Sequence, residues 1–328
     1  MNLHRRRLAT ALALIPIAAA RAQATTGAAA FPSKPIKLVV GFPPGGSADA
    51  QARLIAAKLG AQLGQQVIVD NRPGAGGNIG ADAVAKAPPD GHTLLLAAVS
   101  AFAINPWLYP RLPFDPARDF AYIGQIASFQ GVVVVGPDQP MPSMKALAAY
   151  ARAHPGQLVY GSPGNGTTPH LAAELFRRAA GVELQHAPYR GDAPALTDVA
   201  GGQLPVAFVN LGPAIGLIRS GRVRALAVTG DRRASTLPEV PTLEEAGFAH
   251  AAVPGWSGLA APAGTPPAIV ERLAQALKTV AADAEFRQLA EQQSAEVRFV
   301  PPAAFAAQAA ADRSRFGKLV KDSGITLD

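Results

Sequence analysis

Two glycine turns hold the residues best suited to chemistry. Gly45-Gly46-Ser47 follows an apolar run, with Phe42 just before it and Asp49 just after it. The second turn, Ser162-Pro163-Gly164-Asn165-Gly166-Thr167, follows Leu158-Val159-Tyr160 and is followed by His170. Glycine lets the backbone approach a ligand closely. A helix opening at such a turn leaves amide N–H groups unpaired at its positive end, and Ser47 and Thr167 add hydroxyls beside them. The chemistry on offer is the holding of an anion such as a carboxylate. Each turn taken singly also reads as an ordinary strand-to-helix connection, and their recurrence sets the two readings level. Asp49 reads either as an acid favoured at a helix start or as a group orienting ligand-bound water. His170 either reaches a ligand or orders its own turn, and Tyr189-Arg190-Gly191 either walls a cleft or lies in solvent.

Other chemistries fail on spacing. The run from Gly161 to Thr168 has P-loop spacing, but Thr167 stands where the phosphate-binding lysine belongs. Gly74, Gly76 and Gly80 miss the dinucleotide fingerprint by one residue. Tyr160 replaces the first glycine of a nucleophile elbow around Ser162. The 6 histidines show no metal-binding pairing, and 0 cysteines exclude disulfide scaffolds, thiolate metal sites and cysteine nucleophiles. No cofactor and no metal is expected.

Positioning these turns requires strands and helices in alternation. Ile36 to Phe42 reads as a strand, then a helix from Ser47 with Ile55, Leu59 and Leu63 on its inner face. Strands follow at Gln66–Asp70 and Thr93–Ala98, with a glycine loop and a short helix between them. Ala101 to Asp119 holds four prolines (Pro106, Pro110, Pro113, Pro116) and reads as an irregular surface loop. Regularity returns with strands at Tyr122–Ala127 and Val132–Val135, a helix capped by Ser143, and further β and α pieces to Thr229. An irregular zone at Asp231–Pro254 precedes a strand near Trp256–Ala260 and three closing helices. The pattern is α/β, with two lobes that each offer one helix amino terminus. Residues 31–127 with 252–328 form the first lobe and 128–251 the second, so the chain crosses twice.

The chain has 328 residues, a 49% apolar fraction and 16% charged residues, which is globular and too sparsely charged for a nucleic-acid surface. Residues 1–24 carry all the features of a secretory signal peptide: Arg5-Arg6-Arg7, an apolar stretch, and Ala22-Gln23-Ala24. The paired arginines leave Sec and twin-arginine export both open. That segment holds four of the 30 basic residues and none of the 23 acidic ones, so the +7 of the whole chain falls to +3 after it. The expected location is the periplasm, without a lipid anchor.

The blocks VGFPPGGSAD, VDNRPGAGGNIGADAVAKAPPDGHTLLLA, INPWLYPRLPFDPARDF, YGSPGNGTTPHLAAELF, APYRGDAPALTDVAGGQ and GRVRALAVTGDRR, in this order, resemble the Bug-type (TctC-like) receptors of tripartite tricarboxylate transporters. The resemblance spans about residues 31–328. It implies a type II periplasmic binding-protein fold, two α/β lobes around a ligand cleft, and no catalytic activity. It further implies a monomer that binds a small organic carboxylate and delivers it to a permease of one large and one small integral subunit. Residues matching the family's first binding loop are Phe42, Gly45, Gly46, Ser47 and Asp49. Ser162, Asn165, Gly166, Thr167 and His170 match the second. Members often carry Asp-Asn after the strand ending at Phe208, whereas here Val209 precedes Asn210, which weighs against an amino-acid ligand. Two alternatives remain in view: a receptor feeding a sensor kinase, and a secreted hydrolase.

Overall fold

The computed structural model describes residues 31–326, so the segment read as a signal peptide lies outside the described residues. Ile36–Val40 (β1), Ser47–Leu63 (α1), Val67–Asn71 (β2), Asn78–Ala85 (α2) and Thr93–Ala98 (β3) form a βαβαβ run whose three strands are parallel. Their apolar runs suit a sheet covered on both faces. Phe120–Phe129 (β4), Gly255–Pro262 (β10) and Glu296–Val300 (β11) complete a six-stranded sheet in the order β11-β4-β10-β3-β1-β2. α1 packs on it through Ala52, Ile55, Ala56, Leu59 and Leu63, all buried. Each such Leu or Ile contributes roughly 1.5–3 kcal/mol of burial.

The chain leaves this sheet through the single residue Gln130. A second sheet follows, built from Gly131–Val135 (β5), Val159–Ser162 (β6), Gln185–Pro188 (β7), Val206–Asn210 (β8) and Arg224–Val228 (β9), ordered β7-β6-β8-β5-β9. Every residue of β5, a Gly-Val-Val-Val-Val run, is buried. Its helices are Met144–Ala153 (α4), Thr168–Ala180 (α5), Asp192–Ala200 (α6) and Leu211–Arg219 (α7). Ser143 caps α4 as its sequence suggests, its hydroxyl accepting from the Ala146 amide. The chain returns to the first sheet at Gly255 and closes with Pro267–Ala282 (α8), Ala284–Gln292 (α9) and Pro302–Ser323 (α10).

In both sheets two parallel neighbours carry connections that run in opposite directions: β1 beside β3, and β6 beside β8. The carboxyl ends of such strand pairs open a crevice where α/β proteins hold ligands. Both glycine turns and Asn210 lie at these ends.

Residues 101–119 correct the sequence reading. Ser100–Ile104 forms a wide helical turn that continues into Asn105–Leu108 (α3), and Ala101, Phe102, Ala103 and Ile104 are buried core rather than surface loop. Pro106 falls in the first turn of α3. Phe102 packs against Phe120 and Tyr122 at ring-centroid distances of 4.8 and 5.6 Å. The indole N–H of Trp107 donates to the Arg313 carbonyl of α10 at 2.7 Å, although the side chain keeps 51% exposure. Only the stretch after Leu108 is irregular. The short edge strand β11, between two helices, was not anticipated.

Truncating Phe102 to Ala should lower stability by about 3–5 kcal/mol in a denaturant melt, as for a filled core position. A change below about 0.5 kcal/mol would instead mark a surface site.

Candidate functional site

β1 ends at Val40, and the following turn passes through Gly45 at φ +80°, a conformation that side chains resist. Gly46 then caps α1 in an extended conformation. Asp49 braces this turn from behind. Its carboxylate accepts from the Gly45 amide at 3.0 Å, the Asn71 side-chain amide at 3.0 Å and Arg53 Nε at 2.9 Å. Burial pushes the Asp49 carboxyl up, but Arg53, Gly45 and Asn71 together hold it below the usual carboxylate range. The Gly45 amide, just before the helix cap, is thus engaged, and Gly45, Gly46, Ser47 and Ala48 all line the space between the two sheets.

The second turn is ordered by its own side chains. The Thr167 hydroxyl caps α5, accepting from the His170 amide at 3.5 Å and donating to the Gly164 carbonyl at 2.7 Å. The Ser162 hydroxyl accepts from the Gly164 amide at 3.2 Å and pairs with His186 Nε2 at 2.7 Å. His170 Nδ1 accepts from the Gly166 amide at 3.3 Å, and its ring stacks on His186 at 4.4 Å. His186 in turn stacks on Tyr160 at 4.8 Å. Ser162 and His186 have the spacing of a nucleophile and its base, yet Ser162 is 0% exposed and the pair props the turn from beneath. Burial keeps both histidines neutral, pulling His186 down to about 3 and holding His170 below its ordinary value.

Between the turns lies a cavity of about 200 Å³. Phe42, Gly45, Gly46, Ser47, Thr167 and Asn210 line it. Asp49, Ser162, Asn165, Gly166 and His170 are not among its lining residues, and all but Asn165 are seen holding the turns in shape. Its walls are largely apolar, through Leu54, Leu96, Phe129 and Phe286. The sequence reading missed Thr168, Ser100, Ser257 and Asp192, and left Arg190 undecided; all five line the cavity.

Asp192 opens α6 and is only 3% exposed. Its carboxylate accepts from the Asn210 amide at 2.8 Å, from Asn210 Nδ2 at 3.1 Å, and from the Ser47 hydroxyl at 3.4 Å. It therefore joins the first glycine turn to the second sheet. Burial pushes its carboxyl up against the pull of Asn210 and Ser47. An acid thus stands beside Asn210 after all, although it comes from α6 and not from position 209. The available signal was an aspartate directly after a glycine at a helix start.

The two halves also touch through glycines. A methyl on Gly212, in the first turn of α7, would overlap the Gln293 carbonyl behind α9. One on Gly166 would overlap the Asn105 side chain of α3. Among the described residues no group of three His, Asp or Glu side chains is placed to hold a metal, and no helix is long and apolar enough to cross a membrane.

Residues 51–325 match the family described as tripartite tricarboxylate transporter family receptor. The chain is 44% identical over 288 residues to the "UPF0065 protein in tcbD-tcbE intergenic region" of a Pseudomonas species, covering 86% of this chain and 83% of that one. It is similar to the solved periplasmic binding protein BugD, with 34% identity and a TM-score of 0.86 over 90% of this chain and 100% of that one. The structure described as R. palustris Rpa4515 with adipate also gives a TM-score of 0.86, at 36% identity over 90% of this chain and 100% of that one.

The buried histidines set a pH dependence. An unfolded histidine titrates near about 6.5, so below that value the unfolded chain binds protons that folded His170 and His186 refuse. Their contribution is complete above pH about 6.5 and is lost as pH falls toward about 3, the value for His186. Urea midpoints should drop more between pH 7.5 and pH 4.5 in the native protein than in His186→Asn. Parallel curves would remove the histidines from the cause.

Proposed function

The chain belongs to the tripartite tricarboxylate transporter receptor family, and from that premise we propose that its cleft closes on a small organic carboxylate and hands it to a membrane permease. The observation that carries this reading is the meeting of two helix starts, α1 with Gly46–Ala48 and α5 with Thr167 and Thr168, on one apolar cavity between the sheets. Amide donors at a helix start favour an anion, although at α5 the Thr167 and His170 amides are already engaged and Pro169 has none. Arg190 adds a cation to the lining on the side of α5. Four or five hydrogen bonds to a charged group supply roughly 6–15 kcal/mol gross, and the loss of ligand and interlobe freedom removes several. A net of about 8 kcal/mol corresponds to micromolar affinity, which suits capture followed by release.

Export by the amino-terminal segment, residence in the periplasm as a monomer, and docking to a permease of one large and one small subunit complete the proposal. So does a lobe division at residues 31–127 with 252–328 against 128–251. Neither cofactor, metal nor catalytic step belongs to it. The buried setting of the Ser162–His186 pair supports a binding role over a hydrolytic one.

Asp192 adds a condition. A carboxylate arriving in the cleft raises the energy of a second negative charge nearby, so it pushes the Asp192 carboxyl further up and favours uptake of a proton. Binding of an anion should then tighten as pH falls, down to the range in which the ligand itself protonates.

Titration calorimetry on residues 25–328 with mono- and dicarboxylates should give a dissociation constant of about micromolar order for at least one acid. Replacing Thr168 by Ala should weaken it roughly tenfold or more, a bond to a charged group being worth about 1.5–3 kcal/mol. A panel in which no carboxylate binds overturns the reading. Asp192→Asn should bind the same acid several-fold more tightly and lose the proton uptake, seen by repeating the titration in buffers of different ionisation enthalpy. Weaker binding by that variant would show that the acid attracts the ligand instead.

A further inference from the structure

The glycine loop between β2 and α2, which misses the dinucleotide fingerprint, has no part in anything described above. Gly74, Ala75, Gly76 and Gly77 all take positive φ, at +135°, +49°, +63° and +99°. Glycine tolerates this region and alanine does not, so a run of four that includes Ala75 persists only where its surroundings hold it.

Asn105, the first residue of α3, supplies that hold and is 0% exposed. Its Nδ2 donates to Asn78 Oδ1 at 2.8 Å, to the Gly76 carbonyl at 3.2 Å and to the Ala75 carbonyl at 3.4 Å. Backbone carbonyls only accept, which fixes the nitrogen on the loop side and leaves Oδ1 facing Gly166. Oδ1 has no hydrogen-bond partner in the protein, so Asn105 does not fasten the second turn by a bond of its own.

The loop nevertheless meets both helix-start turns. A Cβ on Gly77 would lie 3.4 Å from Cζ of Phe42, whose ring follows β1 and lines the cavity. A Cβ on Gly76 would lie 2.9 Å from the carbonyl oxygen of Asn165 in the second turn. One on Gly166 would overlap Asn105 Oδ1 and come within 3.2 Å of Tyr109 Cε2. Neither the loop nor Asn105 lines the cavity, so any effect they have on a ligand passes through the two turns.

We propose that Asn105 is a positioning residue that, through the loop from Gly74 to Gly77, sets the Phe42 turn and the Asn165–Gly166 turn against each other. A ligand then meets both turns in one arrangement. This rests on the carboxylate reading above and adds the device that couples its two turns.

Amide hydrogen exchange on the ligand-free protein tests the coupling. The amides of Gly45, Gly166 and Thr167 report on the turns, since they donate to Asp49, His170 and the Gly164 carbonyl. In Asn105→Ala, peptides covering them should exchange roughly fivefold faster or more, the ratio lost with one net hydrogen bond, while α8 keeps its native rate. Asn105→Asp has the same shape but turns oxygen toward the carbonyls, and it should behave like the alanine variant. Native exchange in the aspartate variant would make Asn105 a space filler and overturn the proposal. Faster exchange confined to residues 74–78 would make it a local brace and overturn it too. Should these variants not fold, Ala75→Val strains the same loop from an exposed position, because a β-branched side chain resists positive φ. Native exchange in both turns of that variant also overturns the coupling.

Calorimetry with adipate as probe should then show each variant binding at least about tenfold more weakly than the native protein. Native affinity in a variant whose turns exchange faster would show that their arrangement does not matter to the ligand, which overturns the proposal. If neither adipate nor the wider carboxylate panel binds the native protein, the carboxylate reading falls, while the exchange measurement still decides whether Asn105 couples the turns.

Discussion

A helix cannot satisfy its own first amides, and α1 begins in the wall of a cavity. Much of the surrounding structure follows from that constraint. β1 stops at Val40 and Gly45 takes a positive φ so that the turn can fold back over the helix start. Asp49 ties the Gly45 amide to Asn71 and Arg53, and Gly45, Gly46, Ser47 and Ala48 line the cavity. These bonds brace the turn from within the protein, and a preorganised donor set gives up less freedom on binding.

The second half solves the same problem differently. Its glycine turn is tied down by a buried stack of Tyr160, His186 and His170, with Ser162 and Thr167 bonding back to the Gly164 backbone. Neutral imidazoles suit this task because one ring nitrogen accepts while the other carries a proton. Thr168, Arg190 and the linked pair of Asp192 and Asn210 line the cavity from this side. The two walls are electrostatically unlike, one made of amide donors and the other containing a buried acid.

Much of the architecture was legible in the sequence because its signals are local. β3 falls at Thr93–Ala98 as read, and the inner face of α1 and the Ser143 cap follow directly from spacing and residue type. The stretch after Val99 was misread because its prolines resemble loop punctuation, whereas α10 covers Ala101–Ile104 and makes them core. Long-range packing of this kind has no local signature. The same limit applies to the site: the glycine turns announce themselves, but Ser257 is a lone polar residue in an apolar strand and Asp192 looks like any helix-start acid. Their meaning comes from β10 lying beside β3 and from α6 facing α1, which are facts of topology.

The glycine contacts between the halves constrain what change the protein can absorb. Gly212 against the Gln293 carbonyl and Gly166 against Asn105 let backbone meet backbone or amide with no side chain between them. At both points a single added carbon would overlap the facing atoms, so neither glycine can be enlarged without moving one half against the other. Gly212 and Gln293 themselves line the cavity, so at that point the seam and the pocket wall are one set of residues.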